Sequence, residues 1–169
     1  MNLIAKTAMT LSLAYYASML GYLWIGQLFG LHNEVWEAFD FPTQSTTPPT
    51  WTVIVGLLIT VFGLVSLASA YRGGWVILSG GPNQDFRDLG KNLRRIAWGL
   101  LGFWLGYNLL SGGMQYLIVI GLPNLEGFQF GWDPLDLDIV FAIIGIVLLA
   151  ISQTLERAWL AEDETKHFL

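Results

Sequence analysis

The side chains able to do polar chemistry in this chain are few, and what they lack narrows the field. There is no cysteine, so disulfides, thiolate metal sites and cysteine nucleophiles are excluded. Neither of the two histidines, His32 and His167, falls within a long apolar stretch. That rules out a bis-histidine haem, or a histidine-held chlorophyll, buried in one. "SGGPNQDF", residues 79–86, has the glycines and serine of a phosphate loop. A Walker loop needs two glycines five apart followed by Lys-Ser/Thr; here no lysine follows, and Asp85 stands where phosphate would sit. "DPLDLD", Asp133 to Asp138, lacks the alternating oxygen ligands and turn glycine of an EF-hand loop. Asp136 and Asp138 are better placed to cap a following helix and complement its dipole. No catalytic residue, cofactor or metal site is expected, and the chain reads as a non-enzyme.

What remains is a basic cluster and some neutral polarity. Arg87, Lys91, Arg94 and Arg95 are half of the chain's eight basic residues. Phe86, Leu89, Leu93 and Ile96 form one helical stripe among them, with Asn83 or Asp85 able to cap a helix starting near Gln84. The long basic stems can snorkel toward anionic headgroups, and Trp98 follows at the interface level. Asn108 and Gln115, seven residues apart, share a face of the same helix and are expected to hydrogen-bond across helices. Gly99, Gly102 and Gly106, with Gly56 and Gly63 upstream, have the small-residue spacing that lets helix backbones approach closely, within the chain or against a partner's helix.

The elements that position these residues follow from charge. Only 12% of the 169 residues are charged, 54% are hydrophobic and the mean hydropathy is +0.53, whereas a soluble domain carries about 25% charged residues. No Asp, Glu, Lys or Arg occurs in 7–31, 41–71, 96–125 or 139–154, and roughly 17–25 apolar residues cross about 30 Å of hydrocarbon as helix. The expectation is an all-α, four-transmembrane-helix bundle forming one domain over 1–169. Its spans lie near 8–29, 51–71, 96–120 and 137–157, with outer loops 30–50 and 122–136. The apolar stretch through Phe29 is too long for the core of a cleaved signal peptide, so the first helix is expected to be retained. Lys6, Arg72, the basic cluster, Arg157 and Lys166 all fall on one side of these spans. The other side holds Glu34, Glu37, Asp40, Glu126, Asp133, Asp136 and Asp138. The bias in Lys and Arg puts both termini and the loop 72–95 in the cytoplasm of a bacterial inner membrane. A pI near 4.8 argues against nucleic acid as a direct partner.

Between the spans, 32–41 has the pattern of a short interfacial helix, Pro48-Pro49 stops any continuation, and Thr50 can cap the second span. Gly73-Gly74 and Gly80-Gly81-Pro82 read as turns around the apolar run 75–78.

Two stretches, "DFRDLGKNLRRIAWGLL" and "VFAIIGIVLLAISQTLERAWLAEDETKHFL", together resemble the bacterial four-helix membrane family known as domain of unknown function 2975. Departures are Ala97 where glycine is usual, Ala161 before Glu162-Asp163-Glu164, and Lys166-His167-Phe168 near the end. The resemblance implies four spans and regulation at the membrane beside small helix-turn-helix regulators; it carries over no functional residue. The expected function is protein–protein interaction through 72–95 and the tail 157–169, with Glu162, Asp163 and Glu164 as contact candidates and membrane lipids as surroundings. The alternative is an accessory subunit of a respiratory or photosynthetic complex. Lipid or small-molecule binding at Asn108 and Gln115 is the least favoured reading.

Overall fold

A computed structural model describes residues 2–31, 49–80, 85–114, 116–117 and 139–166. Among them the protein is all-helical, with four α-helices and no strand: α1 Asn2–Leu28, α2 Thr50–Ser79, α3 Phe86–Asn108 and α4 Ile139–Lys166. A π-helical turn, Leu109–Gly113, extends α3. Two helices, Thr50–Ser79 and Ile139–Thr165, are long and apolar enough to cross a membrane. The interfacial helix expected over 32–41, the Asn83 cap and the Asp136 and Asp138 caps lie outside the described residues, as do both histidines.

Local signals explain most helix boundaries. Asp85 caps α3, its Oδ1 accepting from the Arg87 N–H at 3.4 Å. Thr50 does not cap α2; Pro49 occupies the cap position with no side-chain bond, and Thr52 Oγ1 instead donates to the Pro49 carbonyl at 2.7 Å. The turn expected at Gly73-Gly74 is absent: α2 runs on through both glycines to Ser79 and ends at Gly80. Packing overrides the poor helix propensity of glycine here. A Cβ at Gly73 would lie 2.8 Å from the Asn92 carbonyl oxygen of α3, and one at Gly74 would lie 2.8 Å from Met9 Cε of α1. α4 likewise continues past the expected span end at 157 to Lys166.

The helices form an antiparallel row, α3 packing against both α2 and α4, and α1 against α2. The α2–α3 seam is made of small residues. Cβ atoms built at Gly99, Gly102 and Gly106 would meet Ala70 N and Ser66 O (2.6 Å each), Ser66 Oγ (2.6 Å) and Gly63 Cα (3.1 Å) in turn. On the other side of α3, Gly90 faces the Ser152 carbonyl of α4, and Gly145 of α4 receives Leu101. Phe103 spans the row, its ring 5.6 Å from Phe141 of α4 and 6.3 Å from Tyr16 of α1.

At the far end of α1, Trp24 is 1% exposed and occupies the space that a side chain at Gly56 would need. It clusters with Val53 and the fully buried Met114, and its Nε1 donates to Thr60 Oγ1 at 2.8 Å. The π turn matters here: it inserts one residue relative to α-helical register, and the inward position beyond it falls on Met114. Thr60→Val is expected to remove the acceptor from this buried indole and lower stability by about 1–2 kcal/mol, read as the unfolding midpoint in mild detergent. An unchanged midpoint would mean that the bond contributes nothing.

Candidate functional site

Because neighbouring helices are antiparallel, the start of α1, the end of α2, the start of α3 and the end of α4 meet at one end of the row. Lys6, Arg72, Arg87, Lys91, Arg94, Arg95 and Arg157 all lie toward that end, and so do the exposed Glu162, Asp163 and Glu164 in the last turns of α4.

Two cation–aromatic contacts join the helices there in pairs. Lys6 Nζ of α1 sits 4.8 Å from the Trp75 ring centre and also donates to Ser79 Oγ at 2.5 Å, both on α2. Arg87 of α3 lies 4.7 Å from the Trp159 ring centre on α4. At exposed sites such contacts contribute about 0.5–1 kcal/mol each, a small addition to the packing of the helices themselves. Neither pairing was legible in the sequence, because Lys6 and Trp75, like Arg87 and Trp159, are brought together only by the helix order.

The basic residues therefore differ in their engagements. Arg87 is spent on Trp159. Lys91 Nζ is 3.8 Å from Asp88 Oδ1, with both side chains more than 60% exposed, so that ion pair contributes little. Arg94 and Arg95 are exposed and have no ion pair among the described residues. On α4, the three carboxylates crowd the negative end of the helix dipole, an arrangement that does not stabilise the helix itself.

Asn108 is placed otherwise than expected. Asn108 Nδ2 donates to the Trp104 carbonyl at 2.9 Å within its own helix, not across helices, where it stands just before the π turn. Gln115 lies outside the described residues. Ser152 is buried against Gly90 and donates to the Leu149 carbonyl at 2.9 Å. Gly99, Gly102 and Gly106 face α2 of the same chain, so that seam is already filled. Among the described residues no group of three His, Asp or Glu side chains could hold a metal ion.

No family model, no curated protein and no solved structure matches the chain.

Proposed function

We propose that the protein is a non-enzymatic, four-span bacterial inner-membrane protein with both termini in the cytoplasm, acting by protein–protein interaction through its charged end. The observation that carries this reading is the cluster of charged helix ends: α2, at 30 residues, and α4, at 28, are each longer than the roughly 20 residues that a bilayer needs. With the charged start of α3 they extend past it as a helical stub bearing cations on α3 and carboxylates on α4. The apolar windows of α2 and α4 are only 33% and 17% buried. A soluble core helix would be mostly buried; these instead turn Leu58, Val65, Ile143 and Ile146 outward, as lipid-facing helices do. α1 adds Leu11, Tyr15 and Met19 to the same kind of surface. The resemblance to the four-helix family of unknown function agrees with a regulatory role beside a soluble helix-turn-helix protein.

The test is to tag the C-terminus, extract native membranes in mild detergent and identify the proteins recovered in stoichiometric amount. A soluble helix-turn-helix partner is expected. Reversing Glu162, Asp163 and Glu164 to lysine, or Arg87 and Lys91 to glutamate, is expected to reduce its recovery at least about tenfold, the loss of roughly 1.4 kcal/mol. Unchanged recovery with both variants would sink the reading. Recovery of a set of respiratory or photosynthetic subunits would instead favour the accessory-subunit alternative.

A further inference from the structure

On the open side of α3 three exposed residues fall into one row. Arg94, Trp98 and Leu105 stand at i, i+4 and i+11, within about 40° of one another at 100° per residue. Arg95, exposed as well, stands beside Arg94. Trp98 is 59% exposed and Leu105 is 46% exposed. The result is an exposed apolar strip, Trp98 and Leu105, with two guanidinium groups above the indole. Four residues of helix place Arg94 about 6 Å above Trp98, and the headgroup region on each side of a bilayer is about 5–8 Å deep. With the indole at the hydrocarbon boundary, the two arginines reach phosphate depth, and no carboxylate among the described residues competes for them.

We infer that this face binds an anionic phospholipid of the cytoplasmic leaflet: Arg94 and Arg95 hold the headgroup phosphate, Trp98 packs at the glycerol level, and one acyl chain lies along Leu105. The inference rests on the four-span reading above and deepens it, since it separates the cations by role. Arg87 ties α3 to α4, while Arg94 and Arg95 face lipid.

The test uses the full chain in mild detergent, titrated with dioleoylphosphatidylglycerol or dioleoylphosphatidylcholine and read by native mass spectrometry. The native chain is expected to retain the anionic lipid preferentially. Arg94→Gln with Arg95→Gln is expected to weaken that retention by about thirtyfold, and retention of the zwitterionic lipid, whose phosphate is neutralised by its own ammonium, much less. Arg94→Lys with Arg95→Lys keeps the charge and most of the binding, which separates recognition from misfolding, and Lys6→Gln on α1 leaves the preference intact. Equal retention of the two lipids by the native chain, or full retention of the anionic one by the glutamine variant, would overturn the inference. So would displacement of the lipid by millimolar inorganic phosphate, which would mark a site for the soluble anion. Alkaline extraction of native membranes separates the two levels. Release of the native chain defeats the membrane reading, whereas retention without any lipid preference defeats only this inference.

Discussion

Gly99→Leu is expected to separate α2 from α3 and to lower stability by about 3 kcal/mol or more, the upper end for overpacking a tight contact. A Cβ alone at this position would lie 2.6 Å from two backbone atoms of α2, Ser66 O and Ala70 N. Backbone cannot rotate aside as a side chain can. Three further carbons then have no space unless the helices move apart; under the proposed membrane reading the close approach itself drives association, because lipid tails solvate leucine as well as another helix does. Gly102 is the useful comparison. Its nearest neighbour is the Ser66 hydroxyl, which can turn away, so Gly102→Ala should cost less than Gly99→Ala. Gly21→Ala on α1, where nothing lies within 4 Å, should be neutral or stabilising by up to about 1 kcal/mol through helix propensity. Unfolding midpoints in mild detergent check the series. Equal loss at Gly99 and Gly21 would mean that α2 and α3 do not meet at Gly99.

Trp24→Ala carries the second large effect, roughly 3–5 kcal/mol, as for other truncations of fully buried aromatics. The indole fills the notch made by Gly56, touches Val53 and Met114, and gives its N–H to Thr60. Truncation opens a cavity between α1, α2 and the segment after the π turn, which cannot close without shifting all three. Trp24→Phe keeps most of the packing and loses the hydrogen bond, so it should cost about 1 kcal/mol beyond its lost contact area. A cycle combining Trp24→Phe with Thr60→Val isolates that bond. The double variant should be less destabilised than the sum of the singles, because both remove the same bond, and coupling near zero would show that the two side chains do not interact.

How much of this was legible in the sequence depends on whether a residue's meaning is local. The Asp85 cap and the apolar runs are local properties of the chain, and both appear in the sequence as charge patterns. The basic cluster is equally visible, but its division among Trp159, Asp88 and open surface is not, since each partner is chosen by the packing of another helix. Glycine is the clearest case. Gly73-Gly74 has the composition of a turn, yet α3 and α1 press so closely on the two residues that the backbone stays helical there. Gly80 does end α2. The seam at Gly99, Gly102 and Gly106 was readable as close packing but not as to partner, which proves to be α2 of the same chain. Asn108 was expected to bond across helices, as neutral polar residues in apolar helices often do. Instead its amide bonds the Trp104 carbonyl within its own helix, just before the π turn at Leu109–Gly113.

The proposed topology, on which both the interaction surface and the lipid face depend, can be tested most directly by labelling. Since the chain has no cysteine, each introduced thiol is a single reporter, and four sites suffice: Ser45→Cys, Asn83→Cys, Asn124→Cys and Thr165→Cys. A membrane-impermeant maleimide applied to intact spheroplasts is expected to label the Ser45 and Asn124 variants. The Asn83 and Thr165 variants should react only after the membrane is opened. Labelling of the Asn83 variant in intact spheroplasts, or the same accessibility for the Ser45 and Asn83 variants, would contradict a four-span protein with its charged end in the cytoplasm.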